Sequence, residues 1–138
     1  MKLSRTASYA VQATLQLAQS KSNSPVPCSK LAAAGHMPER FLLQVLRSLV
    51  TNGILHSTRG VDGGYTLFRK PDDISLLEVI EAIDGPFTTK MPSVDGLPAP
   101  TQDRLSRAMN DVTAHMRREL DSIKLAHLLP KPTPSGKS

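Results

Sequence analysis

The stretch ILHSTRGVDGGYTLFRKP, residues 54–71, decides how the chain is read. Two short strand-like runs, Ile54 to Ser57 and Tyr65 to Phe68, flank a glycine-rich segment, the pattern of a β-hairpin. Seven residues, Thr58 to Gly64, lie between the runs. Hairpins that only turn the chain use about two to five. The extra length, with Arg59 near its start, points to a loop that reaches a partner. A nucleotide-phosphate cradle is excluded, because no Gly-Lys-Ser/Thr follows and a strand, not a helix, comes next.

Upstream of the hairpin, Pro38 suits the first turn of a helix running to about Asn52-Gly53. Leu42, Val45, Leu46 and Leu49 form its apolar face. Arg40, Gln44, Arg47 and Thr51 form the opposite one, within roughly 60° of each other at 100° per residue. Leu43 sits at the edge of that stripe. Before it, Cys28 to Ala34 makes a short helix, with Gly35 expected in a left-handed C′ position. Residues 4–20 show helical spacing at Ala7, Ala10, Val11, Thr14, Leu17 and Ala18.

Downstream, Ser75-Leu76-Leu77-Glu78 is a capping box opening a helix with Leu77, Ile80 and Ile83 inward. Asp84-Gly85-Pro86 ends it. Residues 86–100 form a Pro-rich connecting loop, and Thr101 is placed to cap a last helix reaching Leu129. The tail, 130–138, is expected to be disordered. The fold class is mainly α with a small β-hairpin. A winged helix-turn-helix unit over 1–85 is followed by a long C-terminal helix over 101–129. That order answers the question of the loop: it is a wing. Arg59 supplies a cation for a narrow minor groove, and Gly60, Gly63 and Gly64 permit close backbone approach.

The charge agrees. The chain has 138 residues, a formal charge of +5 and 4% aromatic side chains without tryptophan. Residues 1–71 carry nine Lys/Arg against two acids, residues 72–84 carry five acids and no base, and residues 85–138 carry eight bases and five acids. The positive field thus sits with the hairpin, which favours a nucleic-acid partner over a solvated but neutral surface. There is no apolar run long enough to span a membrane, and the start lacks a secretory apolar core. A single cysteine allows no internal disulfide and fits a reducing compartment, so the expected location is cytoplasmic.

MKLSRTASYAV at the start, PERFLLQVLRSLVTNGIL in the third helix and STRGVDGGYTLFRKPDDISLLEVIEAIDG through the wing and the helix after it resemble the Rrf-two family of bacterial winged-helix transcription regulators. The likeness is close over residues 1–85 and holds by helical pattern over 101–129. It implies a homodimer on a pseudo-palindromic double-stranded DNA operator; repression is the expected effect, with activation left open. DNA contact then falls to Arg5, Lys30, Pro38, Arg40, Leu43, Gln44, Arg47, Arg59, Gly60, Gly63 and Gly64. Some members carry a base-reading acid where this chain has Leu43, which cannot accept from cytosine but can meet a thymine methyl. The operators of those members do not carry over.

Cluster-binding members have three cysteines after the fourth helix. Here PFTTKMPSVDGLPAPTQD has none, the third falling near Asp103, and the first helix offers only Ser8 and Gln12 for the extra ligand. An iron–sulfur cluster needs three or four protein ligands, so no cofactor and no metal site are expected. His36, His56, His115 and His127 show no metal-ligand spacing, and no nucleophile has an activating partner, so the chain reads as no enzyme. Leu105, Met109, Val112, Met116, Leu120 and Ile123 recur at spacings of four and three, a seam for a second copy of the last helix. A helix folded back on its own domain is the plainer alternative. Regulation is expected from a small-molecule effector or a protein partner. Cys28, beside Lys30, is the candidate redox thiol, against the plainer reading of a small half-buried residue. A winged protein-interaction or RNA-binding module remains the other functional class.

Overall fold

The computed structural model describes residues 2–20, 23–88 and 95–130. Helix α1 spans Arg5–Gln19, α2 Cys28–Gly35 and α3 Glu39–Thr51. Strands β1 (Leu55–Thr58) and β2 (Gly64–Leu67) follow, then α4 (Leu76–Asp84) and α5 (Ala99–Ser122), with 3-10 turns at Pro71–Asp73 and Leu125–Leu128. This is the helical fold with a two-stranded hairpin that the pattern predicts.

The starts of α1 and α4 are local chemistry. The Ser4 hydroxyl accepts from the Ala7 N–H, and its O–H donates to Asp84 at 2.6 Å, tying the two helices together. Ser75 accepts from the Glu78 N–H while the Glu78 carboxylate accepts from the Ser75 N–H, completing the expected capping box. The α3 apolar face is buried as expected: Leu42, Val45, Leu46 and Leu49 are at most 2% exposed. They pack with Ala10, Ala13, Leu17, Ile54, Leu55, Ile74, Val79 and Leu125 in one core.

Several boundaries differ from expectation. Gly35 is the last residue of α2 and not its left-handed cap; His36 takes that conformation, with φ 54°. Gly35 instead lies under the ends of the Gln12, Gln16 and Met37 side chains. A Cβ there would lie 2.5 Å from Gln12 Nε2, whose N–H donates to the Gly35 carbonyl. Pro38 precedes α3 as its N-cap and does not sit in its first turn. The strands pair Leu55 with Leu67 and Thr58 with Gly64, so the wing loop is Arg59–Gly63, five residues. That is an ordinary hairpin length, and the argument from an over-long loop falls. Thr58 and Gly64 carry no apolar signal, so hydropathy does not mark that end of the ladder.

The hairpin gains a third contact. Val26 and Tyr65 exchange backbone hydrogen bonds of 3.0 and 2.9 Å, fastening the segment before α2 to β2. Gly64 allows this approach, since a Cβ there would lie 2.4 Å from the Val26 backbone.

The last helix also departs from its expected range. It begins after Pro98 and not at a Thr101 cap, and it ends at Ser122 and not near Leu129. Ile123 leaves the helix in extended conformation. The Leu76 N–H donates to the Ile123 carbonyl at 2.8 Å, and the Leu125 N–H to the Ile74 carbonyl at 2.9 Å. Leu125 is thereby carried into the core, fully buried. The middle of the Pro-rich loop, 89–94, and the tail from 131 lie outside the described residues.

Candidate nucleic-acid interface

Helix α3 presents Arg40, Gln44, Arg47 and Thr51 to solvent, all exposed. Their exposure follows from the burial opposite: four leucines and valines facing α1, α2 and α4 fix the rotation of the helix, so the polar stripe points outward. Leu43 is half-buried at its edge. Pro38 is exposed at the start of α3, Lys30 is exposed on α2, and Arg5 is exposed in the first turn of α1.

The hairpin lies beside the C-terminal half of α3. The positive charge of Arg47 acts on the Tyr65 phenol of β2, which burial and the nearby Cys28 push above its usual value and Arg47 lowers. Arg59 and Gly60 are exposed, while Gly63 and Gly64 are half-buried at the base of the loop. The Gly63 N–H closes the turn onto the Gly60 carbonyl at 3.0 Å. A Cβ on Gly63 would lie 2.2 Å from the Thr58 carbonyl, so the turn admits only glycine. Of the two cations after β2, Arg69 is committed to the Glu78 carboxylate and the Asp73 carbonyl. Lys70 remains exposed.

Three apolar side chains on or beside these elements are exposed, among them Phe68, 63% exposed just after β2 and stacked on the His56 ring. Val61 stands fully exposed at the wing tip, and Phe41 is 58% exposed in the first turn of α3. Helical position alone could have flagged Phe41, because it falls outside the Leu42–Val45–Leu46–Leu49 face.

Cys28 does not have the environment expected of a reactive thiol. Burial first, and then the carboxylate of Glu39, push its pKa above the usual value, and its S–H donates to the Glu39 carbonyl at 3.7 Å. Lys30 is its neighbour in sequence, but Glu39 is the charge that acts on it. Both effects disfavour the thiolate, the nucleophilic form.

On α5, Leu105, Met109 and Met116 are half-buried and Val112 is 62% exposed. Leu120 and Ile123 are corrected from the expected seam. Leu120 is buried in the chain's own fold, and Ile123 ends the helix and pairs with Leu76. Arg117 clamps α5 to α4 through a bidentate pair with Glu81, Nε at 2.9 Å and the terminal nitrogen at 2.8 Å. The Glu81 carboxylate also accepts from the Phe87 N–H at 2.8 Å. A groove of about 450 Å³ runs beside the clamp, lined by Leu77, Ala114, Arg118 and Asp121 among others.

Helix, turn, exposed helix and wing together define a winged helix-turn-helix protein. The model of the Rrf2 family, described as an iron-dependent transcriptional regulator, matches residues 3–131. The chain belongs to that family of transcriptional regulators, which are not enzymes. It is 32% identical over 130 residues to the HTH-type transcriptional regulator IscR of Aliivibrio salmonicida, covering 94% of this chain and 77% of that protein. An HTH-type regulator of Mycobacterium tuberculosis is 42% identical over 89 residues, 64% of this chain; the match spans about half, 55%, of that relative's length. The solved structure of T. potens IscR superposes with a TM-score of 0.70 at 30% identity, covering 93% of this chain and 85% of that one. Oxidised Staphylococcus aureus CymR superposes with a TM-score of 0.73 at 26% identity, covering 96% and 99%.

The iron in the family description does not fit the residues here. The chain has one cysteine, where a cluster needs three or four protein ligands. Among the described residues no three His, Cys, Asp or Glu side chains gather as a metal would require. Residues 89–94, TKMPSV, contain none of those four types.

Proposed function

We propose that the protein is a homodimeric, sequence-specific DNA-binding repressor that acts on a pseudo-palindromic operator without an iron–sulfur cluster. The observation that carries this reading is the exposed stripe Arg40, Gln44, Arg47 and Thr51 on α3, directly opposite four fully packed apolar side chains. That stripe has the donors and acceptors that major-groove reading needs, with Gln44 suited to adenine. Arg59 on the wing supplies the minor-groove or phosphate contact, and Arg5 and Lys30 supply backbone charge. Leu105, Met109, Val112 and Met116 meet the same residues of a second copy. The effector, a small ligand or a protein, acts at the α4–α5 groove, where it can change the angle between the two halves of the dimer.

The test is competition. DNA fragments captured from the genome by the purified protein are compared with random duplex and with RNA of equal length, across a range of salt. Specific binding exceeds random duplex by at least about a thousandfold. Equal affinity for all three competitors contradicts the assignment, and preference for RNA moves the protein to the other class.

A further inference from the structure

We propose that Phe41 reads a thymine methyl group in the major groove, a role that rests on the DNA-binding reading above. Seven apolar side chains lie on α3. Leu42, Val45, Leu46 and Leu49 are buried, Leu43 and Val50 are half-buried, and Phe41 alone stands mostly in water, 58% exposed. At 100° per residue it lies roughly 60° from Gln44 and 100° from Arg40, on the flank of the polar stripe. It also sits in the first turn of α3. That end of a recognition helix is the one that approaches base edges.

The core does not require this ring, because the buried face of α3 is already filled by Leu42, Val45, Leu46 and Leu49; what distinguishes Phe41 from other singly exposed apolar side chains is its place beside Gln44 in the first turn of the exposed helix. The ring gains only when something apolar covers it. On the floor of the major groove the one apolar group is the thymine C5 methyl, and phenylalanine is among the side chains that contact it. Leu43, the residue that sequence pattern offered for this contact, lies on the other flank and is half-buried, with less surface to give. Val61 carries no such argument, because any side chain at the tip of a five-residue loop is exposed. Gln44 and Phe41 together therefore specify an A·T-rich step: the amide pairs with adenine and the ring covers a neighbouring thymine methyl in each half-site.

The experiment uses the full-length protein and an operator enriched from random duplexes. Each thymine of the half-sites is replaced in turn by uracil, which removes only the methyl group. At one position per half-site the wild type is expected to lose about fourfold in affinity, the worth of one buried methyl. Phe41→Ala keeps its thermal melting curve, binds the thymine operator about tenfold more weakly, and does not respond to uracil at that position. The Phe41→Leu variant keeps part of the thymine preference. Equal responses to uracil in wild type and Phe41→Ala overturn the proposal, as does a wild type indifferent to every uracil. Should the wild type enrich no sequence above random duplex, the DNA-reading assignment itself fails and Phe41 falls with it, an outcome distinct from a protein that selects an operator but ignores its methyl groups.

Discussion

Helix α3 hides four apolar side chains within its own fold, each at most 2% exposed, whereas α5, with 24 residues against 13, buries only Leu120. Both helices are amphipathic. On α3 the apolar stripe is filled by α1, α2 and α4, so the polar stripe is the surface left for a partner. On α5 the roles are reversed: the polar side faces water, and Leu105, Met109, Val112 and Met116 are the side chains that a partner would cover. The difference teaches that amphipathicity alone does not tell structure from interface. What separates them is whether the chain itself supplies the cover.

Six substitutions break or sharpen that contrast. The largest effect is expected from Met116→Asp. An unpaired carboxylate in the proposed seam costs several kcal/mol of association, on the order of a thousandfold in the dimer constant. Sedimentation should show a monomer with an intact thermal transition, and a wild type already monomeric at micromolar concentration would remove the contrast. Next, Leu42→Ala on α3 should lower folding stability by about 2–5 kcal/mol in urea titration, because the cavity cannot refill. Met116→Ala, by comparison, should change the stability of the isolated chain by less than about 0.5 kcal/mol.

A smaller effect, about 1–3 kcal/mol of operator binding, is expected from Arg59→Ala and Gln44→Ala, with folding untouched. Sequence selection separates the two: Gln44→Ala should relax one base pair per half-site, while Arg59→Ala should weaken binding without moving that preference. The smallest effect is Glu81→Gln at the clamp. Hydrogen bonds from Arg117 hold the Glu81 carboxyl below its usual value, against the raising effect of burial, with help from the Phe87 N–H. A carboxylate depressed in the folded state contributes its stability in full above its ordinary pKa. That contribution is lost as pH falls through the depressed folded value. The wild type should therefore be more stable than the variant at neutral pH, and the gap should close on acidification. A gap that persists in acid would show that packing, and not the ion pair, holds α5 to α4.

What could be read from the sequence was local. The Ser75–Glu78 box, the buried face of α3 and the position of the hairpin are each written within a few residues. What could not be read was set from a distance. Helical spacing continues through Leu120 and Ile123, yet α5 stops because the backbone of Ile74 and Leu76 captures Ile123 and Leu125. Gly35 looks like a left-handed cap, but Gln12 packs against it and the conformation passes to His36. Cys28 has Lys30 beside it in sequence and Glu39 beside it in space. At the candidate interface, the polar stripe and Arg59 were legible, while Phe41 emerged only once its neighbours were seen to be buried.

The capture of Leu125 has a consequence for how the protein is made. The core that orients α3 includes this residue, 51 positions beyond its backbone partner Ile74 in the chain order. A growing chain emerges from the ribosome N-terminus first. Its first four helices and hairpin can be outside the tunnel while the slot for Leu125 is still empty. Only after all of α5 has been synthesised can the last core side chain arrive. Completion of the reading head is thus tied to completion of the helix proposed to join two copies, and an interrupted translation product would leave neither a finished core nor a stable half-regulator to occupy DNA.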